Sequence, residues 1–268
     1  MQTFNYHRPS SVADAVAALK AAEEGKLLGG GQSLIPVLKL DMAAPTDVIS
    51  LADIAELKEI KQEGDTLVVG AAATHADVSA SDVVRGHTPA LAELAGAIGD
   101  PQVRHRGTLG GSVAHAAPAA DYPAALIGLK ATVQTDRRTI AADDFFQGLF
   151  ETALEEDELI VAVHFPKAER SAYAKLASPA SKYAVVGVMV AKHADGVRVA
   201  VTGASPRVFR VEAMEAALNA SFAPEALDGI TVDSEPLNSD LDGTAAYRAH
   251  MVGVMARRAV ASASAVSG

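Results

Sequence analysis

Cysteine is absent from this 268-residue chain, and so is tryptophan. The first absence excludes disulfides, thiolate zinc centres and iron–sulfur clusters held by the chain itself, since each needs cysteine sulfur. Aromatic residues make up only 4% of the sequence. Positive charge is scarce too: 23 Lys and Arg face 33 Asp and Glu, for a net charge of −10, and no basic run occurs. That balance argues against a nucleic-acid partner, whose phosphates call for clustered Lys and Arg. The longest run of apolar residues and glycine is "YAVVGVMVA", Tyr183 to Ala191, too short for a membrane-spanning helix. The start, "MQTFNYHRPSS", lacks the charged-then-apolar pattern of a secretory signal. These absences lead to the expectation of a soluble, cytoplasmic protein.

Two familiar phosphate-binding motifs are missing as well. No Gly-x-x-x-x-Gly-Lys-Ser/Thr loop is present. In "LLGGGQSL" a dinucleotide Gly-x-Gly-x-x-Gly fingerprint fails, because Leu34 stands where its third glycine belongs.

What is present is an ordinary globular composition, 49% hydrophobic and 21% charged. The length suits two or three small domains, and a globule of this size buries roughly 75% of its unfolded surface. "SSVADAVAALKAAEEG" reads as a helix capped by Ser10 or Ser11, with Val12, Val16 and Leu19 on one face and Gly25 as its stop. Leu27 and Leu28 then open a short strand, and Val48 to Leu51 form another. "ELKEIKQEGDTLVVGAAAT" reads as a hairpin turning at Glu63-Gly64-Asp65. A helix is expected around Pro89 to Ile98. "GTLGGSVAHAAPAADYPAALIGLKATV" reads as a strand-like piece, a small-residue loop and an apolar helix, and "DELIVAVHFP" as a strand. After Pro166 the pattern changes. "SAYAKLAS", "AVVGVMVAKH" and "VRVAVTGA" suggest an antiparallel meander turning at Ala194-Asp195-Gly196. Helices are expected at Val211–Leu218 and Thr244–Ala261, and a frayed tail in "ASASAVSG". A boundary falls near residues 166–172.

Two glycine turns stand out. Gly29-Gly30-Gly31 precedes Gln32 and Ser33, and Gly110-Gly111 lies between Thr108, Leu109 and Ser112. Each glycine costs the folded chain roughly 0.5–1 kcal/mol of backbone entropy, so a run of them needs a reason. One reason is a plain turn. Another is a backbone that must approach an anion, since consecutive N–H groups in such turns form an anion-binding concavity. Two such turns with nearby hydroxyls can pinch one pyrophosphate from both sides.

In "FNYHRPSSVADAVAAL", "LLGGGQSLIPVLKL", "DPQVRHRGTLGGSVAHAAPAADYPAAL", "DFFQGLFETALEEDELIVAVHFP" and "YRAHMVGVMARRAV" the chain resembles the FAD-binding medium subunits of the molybdenum hydroxylases. That family includes the medium subunits of aerobic carbon monoxide dehydrogenases and the flavin domain of xanthine dehydrogenase. The resemblance runs from residue 4 to about residue 261, and "YHRP" and "MARRAV" place it nearest the carbon monoxide branch. It implies an α+β fold. Residues 1–168 would be a two-part FAD-binding domain of the vanillyl-alcohol-oxidase/PCMH type, its lobes divided near residue 56. Residues 169–268 would be a C-terminal domain of antiparallel sheet and helix.

The resemblance also implies site residues. Leu27, Leu28, Gly29, Gly30, Gly31, Gln32, Ser33 and Leu34, with Thr108, Leu109, Gly110, Gly111 and Ser112, match the two loops that cradle the FAD pyrophosphate. Asp121 matches an acidic residue that accepts cofactor hydroxyls, or it is a helix N-cap, or both. Ile160 matches an apolar contact and is equally a core strand residue. Lys175 matches a lysine near the flavin ring, its alternative being an exposed strand lysine. Tyr183 matches a tyrosine at the isoalloxazine, or it is an ordinary sheet tyrosine. His105 and His115 have no metal-site spacing. His7 has no evident chemical duty, and no metal is assigned.

Three departures qualify the match. Ser112 replaces the usual asparagine of Gly-Gly-Asn. "SPASKY" replaces Arg-x-x-Gly-Asp-Tyr, bringing Lys182 in for an acid and removing the glycine. Gln32 stands where some related flavoproteins carry a covalently linked histidine, so FAD is expected to be non-covalent. The family pattern implies a small subunit with [2Fe–2S] clusters and a large molybdenum–pterin subunit, assembled as a dimer of heterotrimers. Electrons would run from substrate through molybdenum, iron–sulfur and FAD to quinone, NAD or oxygen. Any membrane association would be peripheral, on the inner face and through those partners. No acid–base pair suggests that this chain oxidises a substrate alone. Two other readings are a stand-alone flavin oxidase, for which the roughly 100 residues after Pro166 form a small substrate domain, and an assembly subunit without flavin. Flavin content and co-purifying subunits discriminate among the three.

Overall fold

Three sheets and a short ribbon, each sheet with its own apolar core, succeed one another along the chain in a computed structural model that describes residues 2–265. The first sheet is parallel, with β1 (Asn5–His7), β2 (Gly25–Leu28) and β3 (Asp47–Ser50) in the order β1-β3-β2. Between them α1 (Val12–Ala21) starts where the Ser11 side chain accepts the Asp14 N–H at 3.1 Å, and it buries Ala15 and Leu19 against Ile49 and Leu51. The helix stops at Ala21 because Ala22 is already extended, and Gly25 opens β2 instead of ending the helix. After β2 comes the first glycine turn, then α2 (Leu34–Lys39). His7 Nε2 lies 2.7 Å from Asp47 Oδ1 and ties β1 to β3, a structural duty for the histidine of "YHRP".

The second sheet begins with the expected hairpin, β4 (Ile60–Glu63) and β5 (Thr66–Gly70). Six helices follow: α3 (His75–Ala80), α4 (Asp82–His87), α5 (Pro89–Gly96), α6 (Pro101–Arg104), α7 (Leu109–His115) and α8 (Tyr122–Gly128). Of these only α5 and α8 were expected. The others are four to seven residues long, too short for a window to show a helical apolar period. α3 does carry a capping box, with Thr74 and Asp77 satisfying each other's backbone N–H groups. α7 corrects the reading of residues 109–115 as a strand-like piece and loop. Thr108 caps it, accepting the Gly111 N–H at 3.1 Å, and the left-handed Ala116 closes it. Two glycines oppose helix formation, and packing on β5 overrides them.

The sheet is completed by β6 (Thr132–Thr135), β7 (Thr139–Ala141) and, after α9 (Ala142–Phe145) and the ribbon of β8 (Phe146–Gly148) with β9 (Glu151–Thr152), by β10 (Ile160–Pro166). Its order is β4-β5-β10-β6-β7, antiparallel throughout.

The third sheet is the expected meander, β11 (Arg170–Ala177), β12 (Ala184–His193) and β13 (Gly196–Thr202), extended by β14 (Phe209–Arg210). β12 is buried along nearly its whole length because α11 (Ala245–Ala265) covers one side and α8 the other. That double burial explains the continuous apolar run "AVVGVMVA". Helix α10 (Glu212–Ala220) packs beside β13. The expected frayed tail is helical as far as Ala265, and residues 266–268 lie outside the described residues. Among the described residues no helix is long and apolar enough to cross a membrane.

Candidate functional site

A cavity of about 590 Å³ lies where the first sheet meets the helices of the second, within the ~300–1,000 Å³ usual for cofactor sites. Leu27, Gly29, Gly30, Gly31, Gln32, Ser33 and Leu34 line it, as do Thr108, Gly110, Gly111, Ser112, Asp121, Ile160 and Tyr183. Three expected site residues are not in its wall. Leu28 holds the end of β2, its carbonyl accepting the Leu51 N–H at 2.9 Å. Leu109 points into the second core and is fully buried. Lys175 reaches the cavity only through Asp121.

The two glycine segments touch each other. A Cβ on Gly30 would overlap the Arg106 carbonyl oxygen and sit 2.6 Å from Gly107 Cα. One on Gly29 would lie 2.8 Å from Thr108 Oγ1. Gly31 has φ +74°, the left-handed region that favours glycine. The triple glycine is therefore required by protein packing and backbone conformation as well as by whatever fills the cavity.

Their hydrogen bonding differs. Among the described residues, the backbone N–H groups from Gly29 to Leu34 donate to no protein acceptor. Part of that row is the open start of α2, where first-turn donors have no helical partner. In the second segment the donors from Leu109 to Ser112 are used. Leu109 N–H bonds Ala73 O at 3.0 Å, Gly110 N–H bonds Ala71 O at 2.8 Å, and Gly111 and Ser112 bond Thr108. The two segments thus present different surfaces to the cavity. The second segment offers a glycine surface and hydroxyls in place of free amides.

Asp121 sits at the start of α8 but its side chain caps nothing. Its carboxylate instead accepts Tyr173 Oη at 2.7 Å and Lys175 Nζ at 2.9–3.0 Å, and Lys175 also donates to Ala97 O at 3.2 Å. Lys175 is buried, not the exposed strand lysine of the alternative reading. Burial pushes the Asp121 carboxyl up, while the Lys175 ammonium and the Tyr173 hydroxyl oppose that rise. Two donors on one carboxylate, one of them a buried cation with no other charge partner among the described residues, favour its charged form. A second buried carboxylate on the wall, Glu158, is held down to about 2 by hydrogen bonds from Arg138. Tyr183 is half exposed just before β12, beside Lys182 at φ +63°, and is not a sheet residue. His115 meets the ring of Phe150 at a tilt of 41°, with ring centroids 5.0 Å apart, and His105 faces solvent.

The cavity collects free backbone donors, small residues and ionised carboxylates, a set that fits a dinucleotide with an acidic centre and hydroxyl-bearing arms. Residues 2–168 match the FAD binding domain in molybdopterin dehydrogenase, and residues 171–263 match the CO dehydrogenase flavoprotein C-terminal domain. The chain belongs to the FAD-binding medium subunits of the molybdenum hydroxylases. This medium subunit is 39% identical to the carbon monoxide dehydrogenase medium chain of Hydrogenophaga pseudoflava, over 97% of this chain and 96% of that one. It is 36% identical to the nicotine 6-hydroxylase medium subunit of Paenarthrobacter nicotinovorans, over 99% of both. A solved structure of carbon monoxide dehydrogenase from Hydrogenophaga pseudoflava, lacking the Mo-pyranopterin moiety of its molybdenum cofactor, superposes with TM-score 0.89 at 38% identity, over 98% of each chain.

Among the wall residues that sequence reasoning about this medium subunit missed, one stands out. His75, the first residue of α3, lines the cavity and is 5% exposed. Its signal was the Thr-x-x-Asp capping box of "THAD", which fixes a helix start and so the direction of the next side chain. Lys182 was noted only as a departure, yet it too lines the cavity.

Proposed function

We propose that this subunit binds FAD non-covalently in the glycine-lined cavity and passes electrons from an iron–sulfur partner to an external acceptor. In this reading residues 1–168 hold the cofactor as two lobes divided near residue 56, and residues 169–268 cover it and offer docking surface. The observation that carries it is the row of unused N–H groups from Gly29 to Leu34, facing a cavity of cofactor size. Bonds from such groups to an anion contribute roughly 1.5–3 kcal/mol each, so a few of them hold a diphosphate tightly. Thr108 and Ser112 supply hydroxyls, and the bare surface of Gly111 allows close approach, while Gly110 makes room for Ala71. Asp121, kept charged by Lys175, is an acceptor for ribose or ribityl hydroxyls. Ile160 gives an apolar contact, and Tyr183 with Lys182 borders the edge open to solvent. Bound FAD supplies the redox chemistry, and the protein sets its position and access. Gln32 has no nucleophile with which to bond it.

Chains described as medium subunits imply a small and a large companion. With no cysteine of its own, this one must receive electrons from a cluster carried elsewhere. A small [2Fe–2S] subunit, a large molybdenum–pterin subunit, assembly as a dimer of heterotrimers, an acceptor that is quinone, NAD or oxygen, and a cytoplasmic location all belong to this reading. The test is the visible spectrum of the purified chain before and after acid precipitation. A flavin spectrum that passes into the supernatant is expected. A colourless chain that takes up no added FAD would refute the assignment, and flavin that stays with the precipitate would refute non-covalent binding.

A further inference from the structure

His75 is not used by any contact described so far, and its environment is unusual. It is 5% exposed and lines the cavity, yet among the described residues neither ring nitrogen has a protein partner. Nδ1 is wholly buried and unpaired, as is the hydroxyl of Tyr122, whose ring centroid lies 5.4 Å away. Leaving such groups unsatisfied costs about 1–3 kcal/mol each, so a fold that keeps two together has a use for them. Burial, reinforced by the nearby Arg104 cation, holds the imidazole neutral, with its pKa lowered to about 4.

A neutral imidazole carries one N–H and one lone pair. If Nδ1 bore the hydrogen, it could donate to the Tyr122 oxygen, but the buried Tyr122 O–H would still have no acceptor. If Nδ1 bears the lone pair, the Tyr122 hydroxyl is its natural donor, directly after a small rotation or through one water. The hydrogen then sits on Nε2. That atom is next to Gly107, where a Cβ would come within 2.6 Å of it, and Gly107 is the residue against which Gly30 packs. The absent side chain leaves Nε2 open at the seam between the two glycine segments. The free N–H row begins at Gly29, and Nε2–H adds a further donor to it. A group that satisfies only donors is acceptor-only, which describes phosphate oxygens and not hydroxyls.

We propose that His75 donates an Nε2–H hydrogen bond to the diphosphate of the bound dinucleotide, with Tyr122 fixing its tautomer from beneath. This rests on the flavin reading above and names a binding residue outside both glycine segments. A structural histidine would stabilise the empty protein. This one has no protein partner among the described residues and gains one on binding.

The experiment compares the full-length chain with its His75→Leu and His75→Gln variants, by titration with FAD, ADP and riboflavin and by thermal melting without ligand. The expected result is a loss of about tenfold or more in FAD and ADP affinity for the leucine variant, the size of one hydrogen bond to a charged group. Riboflavin binding should be unchanged, the glutamine variant should recover part of the loss, and the ligand-free melting temperature of the leucine variant should be equal or higher. Unchanged FAD affinity in the leucine variant would overturn the proposal. So would a loss that appears with riboflavin but not with ADP, or one that accompanies an equal fall in ligand-free stability. An unmodified chain that binds neither FAD nor ADP would refute the flavin reading itself. Normal binding by that chain alongside indifferent variants would refute only the role of His75.

Discussion

The two segments that wall the cavity share a composition and solve opposite problems. Gly29–Leu34 leaves its amides free, because the strand before it has ended and the helix after it has only begun. Behind its Thr108 cap the second segment is already a helix, and the amides of Leu109 to Ser112 are spent on Thr108 and on Ala71 and Ala73. The first presents donors, and the second presents an absence of side chains beside a charged residue, Asp121. Glycine therefore does two things in one site: in the first segment it permits conformation and contact, in the second it removes bulk. A cofactor with an anionic middle and long neutral arms needs both kinds of surface.

The largest effect is expected on the second wall. Lys175→Met leaves the buried Asp121 carboxylate without its cation, and losing one partner of such a pair costs about 3–5 kcal/mol. Without Lys175, burial is opposed mainly by the Tyr173 hydrogen bond and raises the folded pKa of Asp121 further, so the folded state binds a proton that the unfolded chain releases. Stability of the variant should then rise as pH falls, with the deficit deepest near about pH 8 and shrinking toward about pH 5. Urea unfolding at several pH values checks this; a deficit independent of pH would mean that the pair is not ionised.

Gly30→Ala should come next. Its Cβ would overlap the Arg106 carbonyl, so the segments must separate, at roughly 1–3 kcal/mol for forced overpacking. Melting temperature and FAD affinity should fall together. A variant with intact flavin affinity would show that the seam does not shape the site.

The smallest effect is expected for Gly111→Ala. Gly111 is exposed and helical, and its added Cβ meets only Thr108 Oγ1, at 2.8 Å. A gain of up to about 1 kcal/mol in helix propensity is set against a disturbed cap worth about the same. Stability should barely change while FAD affinity drops, if this glycine surface is where the cofactor lies. Equal affinity would break the contrast between the two walls.

Much of this was legible from residues alone. "EGDT" between alternating strands specified the β4–β5 hairpin, and the meander after Pro166 followed from three apolar runs separated by turns. The Ser11 cap marked α1. The helices around the cavity were harder, since α3, α4, α6 and α7 are short pieces whose faces are decided by what packs on them. Nothing in "GTLGGSVAH" says helix; its glycines lower helix propensity, and only contact with Ala71 and Ala73 commits it.

By itself the sequence determined that no cysteine-borne cluster or disulfide belongs to this chain, that two glycine segments stand in this order, and that they belong to a flavin-binding family. Those are matters of which atoms exist and how they are spaced along the backbone. Only the tertiary structure decided which amides remain free, that Lys175 is buried against Asp121, and that His75 stands unpaired at the seam. Hydrogen-bond satisfaction and desolvation depend on what each group finds across space, and its chain neighbours do not specify that.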